Sequence, residues 1–239
     1  MTLNSTTLAA ASLPRAALWA IGRDDAGGPD GTAVDFPISW EDRERDIEWA
    51  SGVLAQHGVG AGTPVLIVGG MAESPWFDPF EAAVLRLGGH YSIGEIISFE
   101  AFRTGMYAQR LGIEVVFGIN RAVAEGLGSE LGAALGAVRT IFARPDAGQV
   151  LRAAGLAPLT VTRVGPALAV DCPAGAGGHV NGAEWKVEAS GRDLRLTTVG
   201  PRAHQLEHAR VGVRGSVELD PCQCGRTDPR VQVSPTRGV

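Results

Sequence analysis

The clearest hydrophobic pattern follows Ser39. Apolar residues Ile47, Trp49, Ala50, Val53 and Leu54 recur at helical spacing, and Gly58 ends the run. Ser39 is a good N-cap with Asp42 three residues on, close to a capping box. A turn, Val59-Gly-Ala-Gly62, leads into Pro64-Val-Leu-Ile-Val-Gly-Gly70, which reads as a buried strand. The same alternation then continues. Helices are expected over 80–87, over 99–111 with Ser98 as cap, from Asn120 to about Leu127, through 131–135 and over 146–154. Strands are expected at His90–Gly94, Ile113–Gly118, Thr140–Ala143 and Leu159–Thr162. Strands alternating with helices at this spacing imply a parallel sheet covered on both faces.

After residue 165 the pattern changes. Ala167–Val170, Glu184–Val187, Leu194–Thr198 and Val217–Leu219 are short β segments separated by Gly, Asn and Pro turns. They read as an antiparallel, barrel-like unit. Residues before about 35 are the least patterned, with a short helix expected over 13–22 and a loop over 24–31. The expected organisation is an N-terminal extension (1–35), an α/β domain (36–165) and a β-rich subdomain (166–239).

The chemistry concentrates in the last of these. Cys222 and Cys224 stand one residue apart in Asp220-Pro-Cys-Gln-Cys-Gly-Arg-Thr-Asp-Pro-Arg230, and the third cysteine of the chain, Cys172, is followed by Gly178-His179. Three thiols and one imidazole in two turn-rich segments are what a closed tetrahedral zinc site requires, and closed sites are structural. The bland alternative is free buried cysteines and a surface histidine. His204 and His208, four residues apart, would share a face if helical; two solvated histidines are the simpler reading.

A second set of candidates lies where strands of the parallel sheet end, since ligands in such sheets bind outside the strand C-termini. Trp76 and Phe77 in Glu73-Ser-Pro-Trp-Phe-Asp-Pro-Phe80, together with His90, Tyr91, Glu95 and Asn120, are expected to face a small molecule there. His90 is the candidate general base, because its unperturbed pKa lies near neutrality. Ordinary βα loops are the competing reading, with Trp76 and Phe77 simply covering the edge of the core.

Composition narrows the function. The chain has 239 residues, 45% hydrophobic, enough for a core. A formal net charge of -5 gives no basic surface for nucleic acid. Three cysteines do not make a disulfide framework, which fits a reduced, cytoplasmic setting. No apolar run is long enough for a membrane span, and the N-terminus lacks the features of a signal peptide.

The order of elements and several motifs resemble the phenylacetate–CoA ligase branch of the adenylate-forming (acyl-CoA synthetase-like) superfamily over roughly residues 35–231. The residues that carry the resemblance are Ser39-Trp-Glu-Asp42 through Val65, Gly88-Gly-His90, Gly191-Arg-Asp-Leu-Arg-Leu-Thr-Thr198, Asp220-Pro-Cys-Gln-Cys-Gly-Arg-Thr227, and Cys172 with Gly178-His179. The resemblance implies an acyl pocket at the sheet rim, a zinc site as in some members, and pairing into a homodimer or with a partner enzyme. It also implies parts that this chain lacks. The family's phosphate loop falls on Ala26-Gly-Gly-Pro-Asp-Gly-Thr-Ala33, which has one Thr, no Lys and two nearby acids, Asp25 and Asp30. The magnesium-holding Glu falls within Val164-Gly-Pro-Ala-Leu168, and the ribose-holding Asp within Val211-Gly-Val-Arg-Gly215. The C-terminal ligase domain with its catalytic Lys is expected to begin about where the chain stops. ATP is therefore not an expected cofactor. Three functions follow as expectations: a non-adenylating homologue that binds or processes a small carboxylic acid or acyl thioester in a biosynthetic pathway; a pseudo-enzyme that pairs with a ligase or carrier-protein enzyme; and one part of a split ATP-dependent CoA ligase.

Overall fold

The computed structural model describes residues 18–24 and 33–234. The candidate phosphate loop, apart from Ala33, lies outside the described residues. So do residues 13–17 of the helix expected near the N-terminus. The rest of that helix is instead a strand, β1 (Leu18–Asp24), paired antiparallel with β2 (Val34–Ser39). The apolar alternation of Val34, Phe36 and Ile38 is the strand signal, and Phe36 and Ile38 are buried in the core. This hairpin links the two sides of the boundary expected at 35.

Helix α1 (Trp40–Gln56) starts as the sequence implies. Asp42 N–H donates to Ser39 Oγ at 3.0 Å, and Ser39 N–H donates to Asp42 Oδ2 at 2.9 Å. Then come β3 (Pro64–Val68), α2 (Ser74–Arg86), β4 (His90–Gly94), α3 (Ala101–Arg110) and β5 (Val115–Ile119). They are followed by α4 (Arg121–Leu127), α5 (Leu131–Leu135), β6 (Thr140–Ala143), α6 (Gly148–Ala153) and β7 (Leu159–Val164). Strands β4, β3, β5, β6 and β7 are neighbours in that order and all parallel. One face packs α1 and α2 through Ile47, Leu54, Phe80 and Phe117. The other packs α3 to α6 through Val116, Leu131, Leu135 and Leu151. Ser98 does not cap α3; it opens a short 3-10 turn before it.

Strand β7 is parallel to β6 on one side and antiparallel to β8 (Ala167–Asp171) on the other. From there the sheet runs on through β9 (Gly178–His179), β13 (Arg230–Val233), β12 (Ala209–Glu218), β11 (Asp193–Thr198) and β10 (Trp185–Ser190), all antiparallel. The antiparallel set was expected, but it continues the same sheet, eleven strands in all among the described residues, and no pairing closes it into a barrel. Its own core holds Val164, Trp185, Leu194 and Leu196.

Ion pairs tie this β-rich half back to α1. Glu184 and Arg202 are almost wholly buried, with 3% and 5% of their side-chain surface exposed. Arg202 donates to Asp46 Oδ1 and Oδ2 at 2.8 and 2.7 Å and to Glu184 Oε2 at 3.1 Å. Arg45 donates to Glu184 Oε1 at 2.8 Å and to Asp42 Oδ1 at 2.6 Å. The Arg202 guanidinium also lies 4.7 Å over the Trp185 ring.

Candidate functional site

Two places hold the chemistry: a thiol–imidazole cluster in the β-rich half and the C-terminal rim of the parallel sheet.

The ligand atoms of Cys172, His179, Cys222 and Cys224 all lie within 4.8 Å of one another. Cys172 follows β8, His179 lies in β9, and the two other cysteines sit in the tight turn before β13, where Gly225 adopts φ +87°. Cys172 Sγ and Cys222 Sγ are 3.6 Å apart, and Cys224 Sγ is 3.4 Å from His179 Nε2. A disulfide would need about 2.05 Å. Tetrahedral coordination with Zn–S near 2.3 Å places sulfurs about 3.8 Å apart, so the spacing fits a metal such as zinc. The other ring nitrogen, His179 Nδ1, is 3.1 Å from the Asp228 carbonyl, which fixes the ring with Nε2 toward the sulfurs. Burial lowers the His179 pKa and so favours the neutral imidazole that a metal needs. Burial pushes the Cys224 thiol up to about 11, while a backbone hydrogen bond from Cys224 lowers Cys222. Three thiolates and one imidazole fill a tetrahedron and leave no position for water.

His204 and His208 do not share a helix. They lie in the connection between β11 and β12, and His208 adopts φ +46°. His208 is exposed and 3.2 Å from Glu188; His204 is half-buried against Phe36.

At the rim, the sequence candidates separate. Trp76 and Phe77 are not loop residues, although Phe77 does line a cleft at the strand ends together with Glu95. The two aromatics lie in the first turns of α2, where the N–H that Pro75 lacks would have had no intrahelical partner anyway. Both are core: Trp76 Nε1 donates to the Gly165 carbonyl at 2.9 Å, and Phe77 packs edge-on against Phe117. His90 and Tyr91 lie at the wrong end of the sheet for a rim role. Pro64 pairs with His90 and Val68 with Gly94, so β4 enters the sheet at His90 and leaves at Gly94. His90 is exposed at the opposite edge. Tyr91 hydrogen-bonds Glu81, and burial raises the pKa of both groups. Asn120 does lie at the rim, as a structural tie: its Oδ1 caps α4 through Val123 N–H at 3.1 Å, and its Nδ2 donates to the Ile96 carbonyl at 2.7 Å. Glu95 is exposed beside Met71, Ile93 and Glu81 in a cleft of about 240 Å³.

The centre of the rim is occupied by a pair that sequence reasoning missed. Arg144, just past β6, reaches over the strand ends. Its Nε donates to the Gly118 carbonyl at 2.9 Å and its Nη2 to the Val68 carbonyl at 3.3 Å. Its Nη1 and Nη2 both donate to the buried Glu73 carboxylate, Nη1 to Oε1 and Nη2 to Oε2 at 2.7 Å. Glu73 also accepts from Gly70 N–H at 2.9 Å, and Arg163 stands 3.7 Å away. Burial alone would raise this carboxyl. The hydrogen bonds from Arg144 and Gly70, with the charges of Arg144 and Arg163, outweigh it and hold the pKa below the usual carboxylate range. Gly118 makes the close approach workable: at φ +95° a Cβ there would meet the Val68 carbonyl at 2.6 Å. Glu73 and Arg144 are 71 residues apart, and no local signal joins them.

Beside this pair a cavity of about 430 Å³ opens between α6 and the β7–β8–β9 strands, lined among others by Arg144, Arg152, Thr160, Thr162, Asp171 and Gly177.

No family model matches the sequence, and no curated protein does. Solved structures do. A 2-hydroxyisobutyryl-CoA ligase in its postadenylation state matches 93% of this chain and 52% of its own, with a TM-score of 0.69 and 13% identity. The anthranilate–CoA ligase AuaEII with anthranoyl-AMP matches 91% of this chain and 47% of its own, at TM-score 0.61 and 9% identity. Escherichia coli MenE matches 92% and 48%, at TM-score 0.53 and 11% identity. The chain thus spans about half the length of these structures. It has the fold of part of the adenylate-forming acyl- and aryl-CoA ligases.

Proposed function

We propose that this protein is a non-adenylating ligase-fold protein that binds a small carboxylic or acyl compound without activating it. The observation that supports the reading is the Glu73–Arg144 pair. A desolvated bidentate pair, anchored to the Gly70 N–H and the Gly118 and Val68 carbonyls, fills the centre of the strand-end rim. A nucleotide or acyl group would have to displace it and leave both charges unpaired. The cavity at its flank offers a guanidinium, Arg152, that forms no ion pair among the described residues. The Cys3His cluster belongs to the same reading as a structural zinc site: it clamps the loops around β9 and β13 and takes no part in chemistry.

Thermal-shift titration with short aliphatic and aromatic acids and their CoA thioesters, alongside ATP–pyrophosphate exchange, tests this. Saturable stabilisation by acids without exchange is expected. Acid-dependent exchange by this chain would overturn the reading and revive the adenylating one.

A second reading, a pairing protein for a ligase or carrier-protein enzyme, is favoured by the apolar surface next to β4. Phe99 and Phe102 are 84% and 80% exposed, as is about half of Ile97 just before them. Co-purification lost on Phe99→Asp would support it; a strictly monomeric protein with no partner would refute it.

A further inference from the structure

We propose that the outer face of the β-rich half carries a binding site for a phosphate group, centred on Arg210 and Arg214. The site lies apart from the rim and the cavity beside α6, and the inference does not rest on the acid-binding reading. Strands β11 and β12 pair with a break in register. Asp193 pairs with Arg214 and Arg195 with Arg210, so Leu194 alone stands opposite Val211, Gly212 and Val213. Gly212 takes φ +66°, a left-handed conformation that glycine adopts freely. A concavity of about 400 Å³ opens at this bulge, lined by Asp193, Leu194, Arg210, Gly212, Val213 and Arg214.

Two guanidiniums of the lining already meet around one anion. Arg210 Nη2 donates to Asp193 Oδ2 at 3.0 Å, and Arg214 Nε stands 3.4 Å from Asp193 Oδ1. The carboxylate marks where a small oxyanion fits. Arg210, Arg214 and Asp193 are 53%, 62% and 40% exposed, so these ion pairs are weak and Asp193 can give way. Two further arginines border the site and form no ion pair among the described residues. Arg195 is the cross-strand partner of Arg210, a like-charge pairing that an anion between the strands would relieve. Arg192 is exposed in the turn before β11, and its carbonyl accepts from Gly215 N–H at 2.8 Å, next to Arg214. Glu188, the partner of Arg195 on β10, already takes Lys186 at 2.8 Å and His208 at 3.2 Å. This stretch therefore sets four arginines against Asp193, in a chain whose formal net charge is -5. The surplus selects the ligand. A monoanionic carboxylate would only replace Asp193. A phosphate group carries up to two charges and three acceptor oxygens, and planar guanidinium forks match it.

Calorimetric titration of the full chain at low salt with inorganic phosphate, phenyl phosphate and butyrate tests this. It is repeated on Arg210→Gln, Arg214→Gln, Asp193→Asn and, as a control, Arg103→Gln, an exposed arginine on α3. Phosphate is expected to bind saturably and to weaken as salt is raised. Arg210→Gln and Arg214→Gln should each weaken it about fivefold, and Asp193→Asn should tighten it about fivefold, because the internal anion no longer competes; this is the scale of one or two exposed ion pairs. Arg103→Gln should leave it unchanged. None of the four side chains is buried, so Tm should move by no more than about 2 °C. Tighter binding of phenyl phosphate than of inorganic phosphate assigns the site to a phosphoryl group on a larger molecule, and the reverse assigns it to the free ion. Butyrate binding that is indifferent to Arg210→Gln and Arg214→Gln supports two separate sites. The inference is overturned by no saturable phosphate binding, by an equal loss in Arg103→Gln, by weaker binding to Asp193→Asn, or by butyrate bound as tightly as phosphate through Arg210.

Discussion

Replacing Arg202 with Met should show how strongly the two halves of the sheet depend on their shared ion pairs. Three carboxylates, Asp42, Asp46 and Glu184, face two guanidiniums, Arg45 and Arg202. Arg202→Met removes three charge-assisted hydrogen bonds and leaves three acids with one partner. Breaking a buried pair from one side costs roughly 3–5 kcal/mol, because the remaining charge stays desolvated. Two features of the structure reduce this. Glu184 keeps Arg45, and Asp46, with 23% of its side chain exposed, regains water. Methionine also keeps much of the apolar contact with Trp185. About 3 kcal/mol is therefore expected, a Tm lowered by about 6–12 °C for a chain of this size. Glu184→Gln alone should cost about 2 kcal/mol. The double variant should cost about 3 rather than 5 kcal/mol, since the charge stranded by the first change is removed by the second. Scanning calorimetry and urea titration of the three variants give the cycle. A shift under about 2 °C for Arg202→Met, or strict additivity, would refute the reasoning that this network is desolvated and shared.

Purified protein should contain about one equivalent of zinc by elemental analysis. Chelation or Cys222→Ser should lower Tm by on the order of 10 °C or more, since binding energy at a structural site is folding energy; an equally stable metal-free protein would sink the assignment. Stability should fall on mild acidification. Burial depresses the pKa of His57, which packs edge-on against Phe142, so its contribution is complete above the unfolded value of 6.5 and is lost as pH falls from there toward the folded value. His57→Gln should flatten the stability profile between pH 7 and 5.5, and an unchanged slope in urea midpoints would count against it. Glu73→Gln should destabilise by about 2 kcal/mol, because Arg144 and Arg163 lose their counter-charge; a neutral outcome in thermal unfolding would mean that the rim pair is solvated.

Much of the fold could be read locally, and the failures have identifiable causes. The α1 start was legible because a capping box is written in four consecutive residues, Ser39 to Asp42. Strands β3, β5 and β6 were legible as short apolar runs between glycines and turns. Trp76 and Phe77 were placed on a loop because Pro75 and Pro79 flank them, whereas Pro75 sits in the first turn of α2 and Pro79 lies inside the helix. The His90 error was avoidable. A chain leaving a helix in a βαβ unit returns to the N-terminal edge of the sheet, so the first residues of β4 belong at the edge opposite the strand ends. The metal cluster was legible because all three cysteines of the chain converge with one histidine. The rim pair was not, since charged residues are common and only the folded sheet brings positions 73 and 144 together. The same holds for Arg202 and Asp46, 156 residues apart.

Strand β7 has a consequence for how the chain acquires its shape. Its parallel partner β6 is reached through a helical crossover, while its antiparallel partner β8 is reached through a two-residue turn at Gly165 and Pro166. The β7–β8 hairpin closes a short loop at low entropic cost, whereas β3, β4, β5 and β6 must close long ones before they gain anything. The hairpin is thus a ready template on which the slower half can finish its edge. A chain cut near residue 165 would keep β7 but strip its outer hydrogen-bonding side, leaving an unprotected strand edge next to an apolar core. Such a fragment would be expected to aggregate rather than fold as an independent unit.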